Sequence, residues 1–239
     1  AVSGTLGVTS TGAVTDSGTL AITGGTTISA SGQDITLDEA ASTFGTLALT
    51  GANVAVTENA ATDLGASTVG GTLGITSAGA VTDSGTLAIT GATTISASGQ
   101  DITLDEAAST FGTLALTGSN VAVTENAAMD LGASTIGGTA NFNSTSNVIT
   151  DSGTLAITGA TTINAGTADI TLDQAASTFG ALALTGANVA VTENAATDLA
   201  ASTVSGTLGV TSTGAVTDSG TLAITGGTTI SASGQDITL

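Results

Sequence analysis

The only side chains in this sequence that could carry out acid–base or metal chemistry are carboxylates. The 239 residues include 19 Asp and Glu but no Lys, Arg, His or Cys, which gives a formal net charge of −19. Without Cys or His there is no thiolate, imidazole or soft-metal ligand, and without Lys or Arg there is no cationic clamp for phosphate. The composition therefore excludes nucleic-acid binding and leaves paired acids as the one credible catalytic option.

Paired acids recur at regular intervals along the chain. They are Asp38 with Glu39, Asp105 with Glu106, and, at the third equivalent place, Asp173 with Gln174. A catalytic pair normally forms one constellation in a cleft, so we predict that these are solvated turn residues, that the chain is not an enzyme, and that it has no catalytic, cofactor or metal site. We expect only weak, diffuse association of Ca²⁺ or Mg²⁺ with clustered carboxylates such as Asp34, Asp38 and Glu39.

The acids recur because the chain consists of tandem repeats of about 67 residues each. The string TDSGTLAITG returns with its aspartate at Asp16, Asp83, Asp151 and Asp218. We predict one continuous segment over 1–239, with repeats in phase at 16–82, 83–150, 151–217 and, in part, 218–239. The chain begins and ends in mid-repeat, because residues 2–37 and 204–239 are identical. We therefore expect further repeats of the same chain, or like subunits end to end, as its partners.

Within each repeat the apolar residues alternate in short runs. Examples are TLAIT, DITLD, TLALT and NVAVT, separated by clusters rich in Gly, Ser, Asn and Thr. Period two indicates strands, and the clusters indicate turns. A hydrophobic content of 41% argues against disorder. About nine runs per repeat, at three per coil, predict an all-β, right-handed parallel β-helix (β-solenoid) with about 22 residues per coil and about three coils per 67-residue repeat.

Larger and amide side chains are expected to occupy fixed places in such a coil. We predict that Phe44, Phe111 and Phe179 fill a corner of the core, while Phe142 lies in the divergent stretch 138–150, which we interpret as an insertion-tolerant loop. Two sets of asparagines are expected to cap turns or form inward amide stacks. They are Asn53, Asn120 and Asn188, and Asn59, Asn126 and Asn194.

The repeats resemble those of giant bacterial surface exoproteins of the filamentous haemagglutinin type. The blocks that carry the resemblance are GTLAITGATTISASGQDITLDEAASTFG and GTLALTGANVAVTENAATDLGASTVGGTLGITSAGAVTDSG. The resemblance covers essentially the whole chain and implies a β-helical shaft that is exported and holds an adhesive tip away from the cell. The amino-terminal secretion domain of that family is not in this segment.

We therefore predict a structural shaft segment of a secreted bacterial extracellular fibre or giant adhesin, located at the cell surface. It would contact host or neighbouring cells through regions outside this segment, without inserting into a membrane. One alternative is a filament or sheath subunit that stacks end to end. A less favoured alternative is a β-helix that binds or cleaves carbohydrate, because the sequence has no Trp or Tyr for sugar stacking.

Overall fold

The chain folds as a β-solenoid of parallel strands, divided into two compact units. The structure is a computed structural model that describes all residues from 1 to 239. Unit 1 is Ala1–Ser119 and unit 2 is Asn120–Leu239. Together they contain about 12 turns, roughly 20 residues apart. All secondary structure is β, so no helix is long and apolar enough to cross a membrane.

Unit 1 contains fourteen strands in two sheets. In chain order they are β1 (Leu6–Thr9), β2 (Val14–Thr15), β3 (Thr26–Ser29), β4 (Ile35–Leu37), β5 (Thr46–Gly51), β6 (Val54–Glu58), β7 (Thr62–Leu64), β8 (Ser67–Val69), β9 (Leu73–Ser77), β10 (Val81–Asp83), β11 (Leu87–Ile89), β12 (Thr93–Ser96), β13 (Ile102–Leu104) and β14 (Thr113–Gly118). One sheet contains β2, β4, β6, β9, β12 and β14, and the other contains the remaining eight.

Unit 2 has the same organisation. Its strands are β15 (Val121–Thr124), β16 (Met129–Leu131), β17 (Ser134–Ile136), β18 (Ala140–Asn143), β19 (Ile149–Asp151), β20 (Leu155–Ile157), β21 (Thr161–Asn164), β22 (Ile170–Leu172), β23 (Leu182–Gly186), β24 (Val189–Glu193), β25 (Thr197–Leu199), β26 (Ser202–Val204), β27 (Leu208–Ser212), β28 (Val216–Asp218), β29 (Leu222–Ile224), β30 (Thr228–Ser231) and β31 (Ile237–Thr238). One sheet contains β16, β17, β19, β20, β22, β24, β27 and β30, and the other contains the remaining nine.

Each passage of the chain from one sheet to the other is half a turn of the coil, and one sequence repeat contains seven such half-turns. The strands visited in alternate sheets after β1 are β2, β3, β4, β5, β6, the β7–β8 pair and β9. Strand β9 is the equivalent of β1 one repeat later, so the repeat makes three and a half turns. Because seven is odd, positions one repeat apart lie in opposite sheets. Leu6–Thr9 and Leu73–Ser77 do so in unit 1, and Ala140–Asn143 and Leu208–Ser212 do so in unit 2.

The turn is therefore shorter than the predicted length of about 22 residues, and a repeat contains more than three turns. Paired residues in successive turns are 17 to 22 apart, as in Leu47 with Leu64 and Ala21 with Thr43. The physical reason is that two short apolar runs can occupy one side of the coil. Strands β7 and β8 lie end to end, because both pair with the single longer strand β5.

The core consists of aliphatic columns in register. Leu37 pairs with Val56, Val56 with Ile75, Ile75 with Ile95, and Ile95 with Leu116. All five side chains are buried. Each turn thus places an aliphatic side chain directly above the last, as the period-two pattern requires.

The divergent stretch 138–150 is not a loop throughout, because it contains strand β18 and the start of β19. Phe142 lies within β18 and is fully buried. The extra residue of this copy lies in the following turn, where Thr145 and Ser146 adopt positive φ angles of 49° and 78°. The irregular segment between β18 and β19 is therefore five residues long, 144–148.

Candidate functional site

The predicted acid pairs lie in turns on the surface. Asp38 follows β4 and is exposed, and Glu39 beside it is half-buried. Asp105 and Glu106 are both exposed in the equivalent turn after β13. No three carboxylates lie close enough together to hold a metal ion.

The backbone of each acid pair is held by an aspartate one turn earlier. In unit 1, Asp83 accepts hydrogen bonds from the backbone N–H groups of Asp105 at 2.9 Å and Glu106 at 3.4 Å. In unit 2, Asp151 accepts them from Asp173 at 2.8 Å and Gln174 at 3.4 Å. The aspartate of the TDSG string therefore caps the turn that follows the next strand of its sheet.

Burial raises the pKa of the Asp83 carboxyl, and the backbone N–H bonds from Asp105 and Glu106 oppose the rise. The carboxylates of the same two residues raise this pKa further through like-charge repulsion. Burial likewise raises the pKa of Asp151, where Asp173 contributes the repulsion. Gln174 carries no charge, so Asp151 has one charged neighbour fewer than Asp83 at the equivalent turn.

A second kind of carboxylate is buried within the coil. Glu58 is 1% exposed, and its Oε1 accepts the Phe44 backbone N–H at 2.7 Å. The Thr62 hydroxyl lies beside this carboxyl group, where its hydrogen bond acts to lower the Glu58 pKa, and it also donates to Ser77 Oγ at 3.0 Å. Burial raises the pKa of Glu58, and the backbone N–H of Phe44 opposes the rise.

The equivalent glutamate of unit 2 makes nearly the same contacts. Glu193 is 1% exposed, and its Oε1 accepts the Phe179 backbone N–H at 2.8 Å. Here the Thr197 hydroxyl donates to Glu193 Oε2 at 2.8 Å. Burial raises the pKa of this glutamate too. Glu125 occupies the same repeat position and is fully buried.

Sequence reasoning overlooked these glutamates because they lie beside turn-forming residues in the string TENAATD. A signal was present, since Val54, Val56 and Glu58 alternate along one strand. Period two directs all three to the same face. The alternation therefore indicates a buried glutamate, even though charged residues are rarely buried without a partner.

The first set of asparagines forms ladders on the outer surface instead of inward stacks. Asn188 donates through its backbone N–H and Nδ2 to Asp169 Oδ1, at 2.9 and 3.0 Å. Its own Oδ1 accepts the Thr207 backbone N–H and hydroxyl, both at 3.1 Å. Asp34, Asn53 and Thr72 make the same bonds in unit 1. Asn188 is exposed, so the ladder joins three successive turns at the surface.

The other asparagines and the aromatic residues also have defined places. In unit 2, Asn126 and Asn194 are exposed and accept hydroxyl hydrogen bonds from the next turn, so they too point outward. Phe44, Phe111 and Phe179 are 7%, 6% and 7% exposed, which confirms their predicted place in the core.

A family model described as "Repeats of unknown function (DUF5649)" matches the chain four times, at residues 1–50, 51–117, 118–185 and 186–239. The chain belongs to this family. The second, third and fourth DUF5649 matches begin at positions 51, 118 and 186, which is the spacing of the sequence repeat. No curated protein and no solved structure matches the chain significantly.

The internal carboxylates are features of the DUF5649 repeat and not of a single site. Glu58 and Glu193 hold equivalent phenylalanine N–H groups in the two units. Asp83 and Asp151 hold equivalent turns. Each DUF5649 repeat thus uses its carboxylates chiefly to satisfy its own backbone.

Proposed function

We propose that the chain is a shaft segment of a secreted bacterial extracellular fibre or giant adhesin of the filamentous haemagglutinin type. It would provide length and rigidity at the cell surface. The observation that supports this most strongly is the recurrence of the same internal bonds in both units, at Glu58 and Glu193 and at Asp83 and Asp151. A recognition site would require a group of side chains that one copy has and the others lack.

The acids with the most perturbed environments are committed to structural bonds. Asp83 and Asp151 cap turns, and Glu58 and Glu193 lie inside the coil, out of reach of a solvent-borne substrate. We therefore propose no catalytic role. Exposed acids such as Asp34, Asp38 and Asp105 would attract Ca²⁺ or Mg²⁺ only weakly and diffusely.

Extracellular placement is supported by the sequence resemblance and by the composition. A shaft without Cys does not depend on the redox state of its surroundings. A chain without Lys or Arg offers no cleavage site to trypsin-like proteases. Contacts with host or neighbouring cells would be made by regions of the full protein outside these repeats.

Electron microscopy of the native, full-length protein and of a deletion variant tests this proposal. Removing residues 16–150 deletes two repeats, or seven whole turns, and joins identical local sequences. At ~4.8 Å per turn, we expect thin rods about 34 Å shorter than wild type, and antibodies against the repeats should label intact cells. Compact particles, an unchanged rod length or labelling only after cell lysis would contradict the proposal.

End-to-end stacking of separate chains is the second candidate. An open cavity of about 520 Å³ at the first turn of unit 1 is lined by the aliphatic side chains of Leu6, Val8, Val14 and Leu20, among others. A further turn, from the same chain or from another subunit, would cover this surface. Concentration-dependent filaments formed by the purified 239-residue chain would favour stacked subunits, and a monomer at all concentrations would favour a single long chain.

A further inference from the structure

The charges of unit 1 are unevenly distributed over its two sheets. On the sheet that begins with β2, the strands β6, β9, β12 and β14 pair in succession. The only acid in these four strands is Glu58, which points into the coil and is 1% exposed. Their outward positions carry only Ala, Gly, Ser and Thr. The outer side of these four strands, the β6 face, is therefore free of charge.

A second neutral face lies on the other sheet of unit 1. Strands β1, β3 and β5 pair in succession and contain no acid. They are the equivalents, one repeat earlier, of β9, β12 and β14. Because a repeat is three and a half turns, the outer side of β1, β3 and β5, the β1 face, points in the opposite direction from the β6 face.

The exposed acids of unit 1 lie on and beside the remaining strands. Asp63 is the outward residue of β7, and Asp83 ends β10. The other acids directly precede or follow β2, β4 and β13; they are Asp16, Asp34, Asp38, Glu39, Asp101, Asp105 and Glu106. Each sheet of unit 1 therefore has one neutral face and one acidic stretch, which is β2 and β4 on one sheet and β7 to β13 on the other.

The outward side chains of the β6 face form level columns. Thr57 pairs with Thr76, Thr76 with Ser96, and Ser96 with Thr117. The column beside it consists of Ala55, Gly74, Thr94 and Ala115. No side chain in either column is larger than threonine, so a second sheet could approach to the ~10 Å that is usual between packed sheets.

A second copy of this chain is the partner that these faces fit. The chain has a net charge of −19 and no basic residue, so two copies repel each other wherever their acidic stretches meet. A neutral face opposite a neutral face avoids that repulsion, and each copy has one on either sheet. A charged partner would find no opposite charge on these faces, and an aromatic ligand would find no large apolar side chain.

We propose that the β1 and β6 faces are lateral contacts through which copies of the chain pack side by side. Where opposite sheets of two parallel copies meet, the neutral faces coincide after a stagger of one repeat, or about 17 Å at ~4.8 Å per turn. This inference concerns contacts between copies and does not depend on export or adhesion.

One pair of neutral faces is too small to hold a dimer by itself. Four strands ~4.8 Å apart, with about five residues each at ~3.3 Å, give about 300 Å² per copy, whereas a standard interface has about 800 Å². Contacts at several repeats of the same two copies act together. The association should therefore strengthen as the shaft becomes longer.

Disulfide cross-linking of the intact 239-residue chain tests the contact, because the wild-type chain has no cysteine. T9C/T76C places one thiol on each neutral face, and T15C/T82C places one on each acidic stretch. All four threonines are exposed, and the two in each variant are equivalent positions in opposite sheets. Oxidation is carried out in about 1 M NaCl, where a screening length of about 3 Å suppresses general repulsion.

We expect T9C/T76C to form several-fold more covalent dimers and larger oligomers than T15C/T82C. Each yield is divided by the rate at which that variant reacts with a neutral maleimide, because Asp16 and Asp83 lie next to the control thiols and change their reactivity. Equal corrected yields, or a higher yield from T15C/T82C, would overturn the proposal.

Sedimentation and electron microscopy of the wild-type chain give a second readout that needs no variant. We expect the average mass to rise with protein concentration in about 1 M NaCl, and less in about 0.01 M NaCl, where the screening length is about 30 Å. Micrographs at high salt should show rods side by side. A monomer at both salt concentrations, or rods joined only end to end, would overturn the lateral contact. Neither result would affect the shaft proposal, which is tested by rod length and cell labelling.

Discussion

Four carboxyl groups in the described coil have a raised pKa, and burial is the main cause for each. They are Glu58, Asp83, Asp151 and Glu193. A group whose pKa is raised on folding contributes stability in full below its unfolded-state pKa of about 4, and that stability is lost as the pH rises through the folded-state value. No basic side chain is present to contribute in the opposite direction.

We therefore predict that the free energy of unfolding decreases as the pH is raised from about 4, the unfolded-state pKa, to 8. This is the reverse of acid denaturation, in which paired carboxylates lose their stabilising bonds as the pH falls. Urea midpoints at several pH values in this range measure the effect, with constant ionic strength to keep the screening of the −19 net charge equal. A midpoint that rises steadily from pH 5 to pH 8 would contradict this reading of the carboxyl environments.

The residue scale also shows what the sequence could and could not reveal. The burial of Glu58 follows from its alternation with Val54 and Val56. The bond from Asp105 to Asp83 spans 22 residues and crosses from one turn to the next. It could not be predicted before the path of the turns was known, because the spacing between paired residues varies along the chain.

At the scale of elements, glycine at one corner of the coil allows successive turns to approach closely. A Cβ on Gly159 would lie 2.5 Å from the Gly138 carbonyl oxygen, and a Cβ on Gly180 would lie 2.2 Å from that of Gly159. These contacts are with backbone, which cannot move without shifting a whole turn. The glycines therefore set how closely the turns approach at this corner.

We predict that Gly159→Ala destabilises the chain by about 1–3 kcal/mol, the usual cost of overpacking. The control is Gly209→Ala within β27, where a Cβ would lie 3.8 Å from the Val189 carbonyl oxygen, an ordinary contact. Because glycine weakens strand interiors, the control should stabilise the chain by about 0.5–1 kcal/mol. Thermal or urea unfolding measures both variants, and equal effects of the two substitutions would argue against close packing at the corner.

A paired change in the third copy shows how elements in adjacent turns constrain each other. Copies one and two place a glycine with positive φ at Gly32 and Gly99, whereas the third copy has Gly166 one position earlier. A Cβ on Gly166 would lie 2.3 Å from Ser146 Oγ, in the turn that holds the extra residue. The insertion and the shifted glycine are therefore one structural adjustment across two turns.

At the scale of the whole molecule, the fold class followed from the sequence, but the length of the turn did not. Alternation in short runs indicated parallel strands in a solenoid, and the structure confirms this. Counting one side of the coil for each apolar run overestimated the number of sides, because β7 and β8 lie on the same side and both pair with β5. Two successive apolar runs can lie on different sides of the coil or end to end on one side. The choice depends on how they pack against the next turn, and the alternation of apolar residues within each run does not reveal it.

The odd number of half-turns has a consequence for a shaft. Within each unit, a given position of the repeat lies in one sheet in one copy and in the other sheet in the next copy. Leu6–Thr9 and Leu73–Ser77 are one such pair. An array of this kind presents the same side chains in two opposite directions, which suits a spacer better than a surface with one recognition face.

The most direct test of the half-turn rule is a distance between two spin labels in unit 1. The chain has no cysteine, so Thr9→Cys and Thr76→Cys give unique attachment sites at equivalent, exposed positions one repeat apart. Thr9→Cys with Ser29→Cys, which are paired in adjacent turns, is the control for close approach.

Three and a half turns place the labels on Thr9 and Thr76 on opposite faces. The axial offset of about 17 Å at ~4.8 Å per turn adds to a spacing between sheets of about 10 Å. We expect a separation above about 20 Å by pulsed electron paramagnetic resonance, and strong spin–spin broadening in the control. A separation of about 14 Å, the offset of three whole turns on one face, would contradict the half-turn repeat.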